Sequence, residues 1–172
     1  VGRMDKDRVK QFDKLIELFA RTNLKHRQYQ LVLLGDGEDR PNLEKIARNL
    51  DAAVVFKGFV DNPYPYYANA DFTVLCSKYE GFPNVLCESL ACGTPVIAFD
   101  CPTGPSEIIK NGVNGLLVHN NSGRYLSEAI MRMVNEYGLR EKCAAHAKIS
   151  VSQYKPEIIA KKWRNLLQTL NQ

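Results

Sequence analysis

The feature that most constrains this chain is a regular alternation of short, continuously apolar runs with stretches of helical periodicity. The runs are Leu31–Leu34, Val54-Val55-Phe56, Phe72-Thr73-Val74-Leu75, Pro95-Val96-Ile97-Ala98-Phe99 and Gly115–Val118. They show little polar alternation, as strands covered on both faces must. Between them, Phe12, Leu15, Ile16, Leu18 and Phe19 form a helical stripe, and Leu43, Ile46, Ala47 and Leu50 form a second. A further helix begins near Pro83, and helices near residues 125–137, 141–148 and 156–170 close the chain. Strand and helix in turn imply right-handed crossovers and a parallel sheet. The expected fold is α/β: an open, doubly wound parallel sheet of about six strands with helices on both faces.

At 172 residues the chain has room for one domain, spanning residues 1–172, and can bury a core without disulfides or a structural metal. A hydrophobic content of 45% argues against disorder, and the apolar runs are far too short to span a membrane. The opening Val1-Gly2-Arg3 reads as a strand already under way, so the chain is expected to be a piece of a larger protein. Twenty-three basic against 19 acidic side chains leave a net charge of +4, spread without a run. That balance suits an anionic small ligand or an acidic membrane surface and gives no nucleic-acid signature. The cysteines, Cys76, Cys87, Cys92, Cys101 and Cys143, are odd in number and hold no C-x-x-C pair. A reducing cytoplasm is the expected compartment, and no metal site is expected.

Sheets of this kind bind ligands at the carboxyl ends of their strands, so the loops after the strands carry the functional expectation. After Leu34 comes Gly35-Asp36-Gly37-Glu38-Asp39-Arg40. A dinucleotide fingerprint needs a glycine where Arg40 stands and an acid about twenty residues on, where the chain offers Ala52-Ala53-Val54-Val55-Phe56. The nicotinamide reading fails at both points. Gly35 and Gly37 either allow close backbone approach to a ligand or make a tight turn.

The most informative segment is Glu80-Gly81-Phe82-Pro83-Asn84-Val85-Leu86-Cys87-Glu88. Pro83 suits a first helical position and Gly93 the residue past the end, predicting a helix from 83 to about 92 that turns Val85, Leu86, Ser89 and Leu90 to the sheet. Free N–H groups at residues 81–85 would then form an anion site at the helix start. Glu80 lies before the helix and Glu88 about a turn and a half along it. The two carboxylates, which only accept hydrogen bonds, suit sugar hydroxyls on either flank of a bound diphosphate. Basic partners for the diphosphate come from Arg3, Lys6, Arg8 and Lys10.

Taken together these segments resemble the donor-binding half of the retaining, B-type (GT-B) glycosyltransferases of family four, whose halves are Rossmann-like. The resemblance runs through nearly the whole chain. It takes in Val1-Gly2-Arg3, Gly35-Asp36-Gly37, Val55-Phe56-Lys57-Gly58-Phe59-Val60 and Ala70-Asp71-Phe72. It continues through the E-x7-E frame from Glu80 to Glu88, Ala91-Cys92-Gly93-Thr94-Pro95-Val96-Ile97-Ala98, Gly104-Pro105-Ser106-Glu107-Ile108-Ile109 and Asn111-Gly112-Val113-Asn114-Gly115. The resemblance implies that Arg3 and Lys10 bind the donor diphosphate. Lys10 is favoured over Arg8 because Lys10-Gln11-Phe12-Asp13 matches the residues that follow the family's lysine. Glu80 would contact the donor sugar and Glu88 the ribose. Gly81, Phe82, Pro83, Asn84 and Val85 would meet sugar and phosphate, Phe59 and Val60 would lie near the base, and Gly35 would border the ligand.

The implied reaction is transfer of a hexosyl group, with retention, from a nucleoside-diphosphate sugar (a UDP-sugar is expected) to a glycan or lipid-linked acceptor. The nucleotide sugar is the substrate; no cofactor is implied. An acceptor-binding N-terminal domain, absent from this chain, would be needed for transfer, so the isolated chain is expected to be inactive. Bacterial polysaccharide biosynthesis in the cytoplasm, with peripheral contact at the inner membrane face, is the expected setting. The alternatives are half of a nucleotide-sugar epimerase and a non-catalytic nucleotide-binding module.

Other features have plainer readings. Asp5-Lys6-Asp7 has the spelling of a metal motif but sits in a basic loop and reads as surface. Pro63-Tyr64-Pro65-Tyr66-Tyr67 reads as a short helix packed at the sheet edge, in preference to an acceptor or membrane contact. His119, beside Asn120 and Asn121, reads as a loop residue. Ile159, Trp163, Leu166, Leu167 and Leu170 form an apolar stripe on the last helix that reads most simply as core. The resemblance to two-domain enzymes, whose final helix crosses toward the partner domain, implies the alternative that it is exposed in this chain; a buried Trp163 would count against that.

Overall fold

The computed structural model describes residues 1–22, 24–119 and 122–170. Five strands alternate with eight α-helices among them, in the order α1 (Phe12–Arg21), β1 (Leu31–Leu34), α2 (Arg40–Asn49), β2 (Val54–Gly58), α3 (Tyr64–Ala68), β3 (Thr73–Leu75), α4 (Asn84–Cys92), β4 (Val96–Phe99), α5 (Pro105–Ile108), β5 (Gly115–Val118), α6 (Gly123–Asn135), α7 (Tyr137–Ser150) and α8 (Pro156–Leu170). Every strand pair is parallel. The α/β class and the helices on both faces follow the expectation; the strand count corrects it.

In place of one sheet of about six strands there are two: β1-β2, and β3-β4-β5. The opening residues run alongside β1, with Gly2 N–H donating to Leu34 O at 2.9 Å and Met4 N–H to Asp36 O at 2.9 Å. Two bonds on a single side do not make a strand, so the expected first strand is not formed. Inside the larger sheet, all four residues of β4 are buried.

The core divides in two because the sheets are covered on both faces. Phe12, Leu15, Ile16 and Phe19 of α1, Leu43 and Ala47 of α2, and Leu126, Ile130 and Met133 of α6 pack on one face. Leu86 and Leu90 of α4 and Ile108 of α5 pack on the other. Helix α7 serves both: Cys143 belongs to the first cluster and Ala147, one turn on, to the second. Helix α8 has no buried residue, and its Trp163 is 61% exposed, so the stripe is not core in this chain and the alternative of an exposed stripe holds. His119 pairs with Asp100 across 3.1 Å; Asn120 and Asn121 lie outside the described residues. No helix of the described residues is long and apolar enough to cross a membrane.

Candidate functional site

The loop that carries Lys10 is held against the residues that follow β3. Gln11 sits in left-handed backbone at φ 49°, and its side-chain amide donates to Cys76 O at 2.8 Å. Lys78 N–H donates to Val9 O at 2.8 Å, and the Cys76 thiol donates toward Lys10 O at 3.2 Å. These cross-links hold the costly left-handed residue in place. Burial pushes the Cys76 thiol up to about 12, so it stays a neutral donor. The consequence is that Lys10 Nζ lies 2.6 Å from Glu80 Oε1, with the Glu80 side chain only 10% exposed.

Glu80 is also held through its backbone, since its carbonyl accepts the Thr103 hydroxyl. A Cβ at Gly104 (φ 93°) would stand 2.5 Å from Pro83 Cδ, so glycine there lets the loop after β4 close on the start of α4. Helix α4 begins at Asn84 with Pro83 as its cap, one residue later than expected, and ends at Gly93 in left-handed backbone at φ 92°. Asn84 N–H turns back to Phe82 O at 3.0 Å. That corrects the expectation of open donors along residues 81–85: the Asn84 amide is engaged within the loop, and Pro83 has none to offer.

Further along α4, Glu88 Oε2 accepts the Tyr67 hydroxyl at 2.9 Å. Tyr67 is 2% exposed, and its main-chain carbonyl accepts the Thr94 hydroxyl at 2.6 Å. Burial, reinforced by the neighbouring Glu88 charge, raises the phenol well above its ordinary pKa, so it remains a donor to the carboxylate. After β2, Phe59 is 79% exposed and Val60 half-buried. After β1, Gly35 N–H donates to Gly58 O at 2.7 Å. A Cβ on Gly35 (φ 125°) would stand 1.9 Å from Gly2 O, so the close approach required there is to the chain's own opening segment.

Asp36 accepts Gly37 N–H and Arg40 Nη1, each at 2.8 Å, and these bonds pull its carboxyl below the usual range. Arg40 therefore occupies the third-glycine position as a clamp, holding Glu44 as well at 2.8 Å. Arg3 is not drawn to the Lys10–Glu80 pair: its guanidinium pairs with Asp5 at 3.3 Å and is 85% exposed. Arg8 turns to Asp13 at 3.3 Å, leaving Lys10 as the cation beside Glu80. In the Asp5-Lys6-Asp7 loop, Lys6 pairs with Glu38 and Asp7 Oδ1 accepts Val9 N–H.

A family model for glycosyl transferases group 1 matches residues 1–150. The chain belongs to this family. Among curated relatives it is 34% identical over 164 residues to the exopolysaccharide phosphotransferase SCO2592 of Streptomyces coelicolor (strain A3(2)), covering 94% of this chain and 17% of that protein. It is 32% identical over 169 residues to the amylovoran biosynthesis glycosyltransferase AmsD of Erwinia amylovora, covering 97% and 46%. The chain thus spans less than half the length of either relative. The structure of S. aureus TarM in complex with fondaparinux, α-GlcNAc-glycerol and UDP superposes with a TM-score of 0.86 at 26% identity, over 96% of this chain and 34% of that one. The fold is accordingly the Rossmann-like α/β fold shared with this GT-B neighbour.

Within that family frame the structure brings Lys10, Glu80 and the start of α4 together and sets Glu88 further along the same helix. Three supporting residues escaped the sequence reading: Gln11, Thr103 and Tyr67. Tyr67 had a visible signal in the aromatic cluster, but nothing in the sequence told it apart from Tyr64 and Tyr66, which are exposed.

Proposed function

We propose that this chain is the donor-binding half of a glycosyltransferase that takes a hexosyl group from a UDP-sugar and passes it, with retention, to a glycan or lipid-linked acceptor. The observation that carries the reading is the Lys10–Glu80 pair, 2.6 Å apart at the head of the helix that bears Glu88. An ammonium has three donors, so Lys10 can keep Glu80 and still meet a phosphate oxygen. Negative charge develops on the leaving diphosphate, and Lys10 with the amino end of α4 would stabilise it there. Arg3, exposed at the edge of the same loop, would reach the diphosphate by exchanging Asp5 for it. Glu80 would hold the donor sugar and Glu88 the ribose, while Phe59 offers an exposed ring to the base. The amides of Gly81, Phe82 and Val85 would face sugar and phosphate. The acceptor would be held by a domain outside this chain, and work at the inner face of the membrane fits a lipid-linked acceptor.

Calorimetric titration of the 172-residue chain with UDP and with UDP-sugars tests this. UDP is expected to bind, Glu88→Ala and Lys10→Ala to weaken it about tenfold, the effect of losing a charge-assisted hydrogen bond, and Glu80→Ala to weaken chiefly the intact UDP-sugar. A folded chain that binds neither ligand overturns the reading. So does equal affinity in all the variants.

A further inference from the structure

The two carboxylates that frame α4 are held in different ways. Glu80 is paired with a cation, whereas Glu88 makes no ion pair among the described residues. The one hydrogen-bond partner of its carboxylate there is the Tyr67 hydroxyl, 2.9 Å from Oε2. A carboxylate only accepts hydrogen bonds, at about four lone-pair sites. A neutral phenol fills one of them and cancels no charge. Glu88 is half-buried, so its remaining acceptor capacity is suited to a ligand that brings several hydroxyl donors.

The phenol is itself firmly placed. Tyr67 is buried on α3, and its carbonyl accepts both the Thr94 hydroxyl, at 2.6 Å, and Ala70 N–H, at 3.0 Å. Thr94 in turn accepts at its own carbonyl the hydroxyl of Ser89, at 3.1 Å, and Ser89 is the residue next to Glu88. The Ser89 hydroxyl also lies 2.8 Å from Thr73 Oγ1 of β3. Both ends of the Tyr67–Glu88 bond are therefore tied to Thr94. Tyr64 and Tyr66, on the same short helix, are exposed and take no part. A glutamate side chain has three torsions, and fixing one of its oxygens removes much of their freedom before a ligand arrives.

We propose that Tyr67 is a positioning residue for nucleotide recognition: it holds Glu88 Oε2 so that Oε1 is presented to the ribose hydroxyls. It thereby sets a preference for ribonucleoside over deoxyribonucleoside diphosphates. This rests on the reading of Glu88 as the ribose ligand. Tyr67 acts through Glu88 and touches no substrate, since its single proton is committed to Oε2. That commitment also fixes which atom faces the ligand. A buried phenol requires an acceptor, so a glutamine at position 88 would give Tyr67 its oxygen and turn its NH2 group toward the ribose.

Calorimetric titration with UDP and with 2′,3′-dideoxy-UDP tests the proposal, in the 172-residue chain, in Tyr67→Phe, in Glu88→Gln and in the double variant. Tyr67→Phe keeps the buried ring and is expected to fold, with Tm within about 4 °C of the unsubstituted chain. It is expected to weaken UDP about fivefold, the effect of leaving one long side chain to be ordered on binding, and to leave dideoxy-UDP unchanged. Glu88→Gln is expected to weaken UDP about tenfold. Adding Tyr67→Phe to Glu88→Gln is expected to restore part of that loss, because the amide is then free to turn its oxygen to the ribose. Equal weakening of both nucleotides by Tyr67→Phe overturns the proposal, and so do losses that multiply in the double variant. A Tyr67→Phe chain that does not fold makes the phenol a structural group and overturns it as well. If the unsubstituted chain binds the two nucleotides equally, the ribose role of Glu88 falls and the proposal falls with it. If that chain discriminates and Tyr67→Phe discriminates just as well, only the positioning role is lost.

Discussion

Gly35 shows how one residue ties the chain's opening to its first strand. It adopts φ 125°, and a Cβ there would lie 1.9 Å from Gly2 O, a contact that backbone cannot yield. Gly35→Ala is expected to cost about 3 kcal/mol or more, combining left-handed strain with overpacking, with urea unfolding as the measurement. A loss under 1 kcal/mol would show that the opening segment moves aside freely. The sequence left ligand approach and tight turn as open readings of this glycine; what decides its need is a partner 33 positions earlier, which no local pattern encodes. Glu80 and Glu88 were legible because their spacing belongs to one short segment. Their supports were not, because Lys10 reaches Glu80 across 70 positions and Tyr67 reaches Glu88 across 21.

At the scale of elements, the helices were the most legible part, since a buried stripe repeats every turn. The expected stripe of Phe12, Leu15, Ile16, Leu18 and Phe19 is the buried face of α1. The start of α4 was placed one residue early because Pro83 serves as its cap and not its first helical residue. Helix α8 has the same apolar periodicity as its buried counterparts yet faces solvent, a distinction that periodicity alone does not make. Its Trp163 is the only tryptophan of the chain and is 61% exposed. Acrylamide is expected to quench its fluorescence nearly as well as that of a free indole. Strong shielding in a monomeric sample would place α8 against a surface it does not touch here.

For the whole molecule, the alternation of strand and helix was enough for the α/β class, but the break between β1 and β3 was not visible, because an apolar run does not reveal what stands beside it. The break sets a hierarchy of local stability. β4 is buried along its length and paired on both edges, whereas β1 and β2 form a pair held chiefly by helices. Native-state hydrogen exchange is expected to be slowest at residues 96–99 and faster by at least an order of magnitude at residues 31–34, and equal rates would mean the two sheets open as one unit.

The division of the core between the two faces of the sheets has a consequence for how such a domain changes over time. Phe59, Glu80, Phe82 and Asn84 belong to neither cluster. Phe82 packs edge-on against Tyr154 and Glu80 holds Lys10, but replacing Phe59 or Asn84 leaves both clusters untouched. On the proposed donor-site reading, donor preference can therefore drift at those two positions while the scaffold keeps its stability. A library varied at residues 59 and 84 can be screened for new nucleotide sugars with few members lost to misfolding.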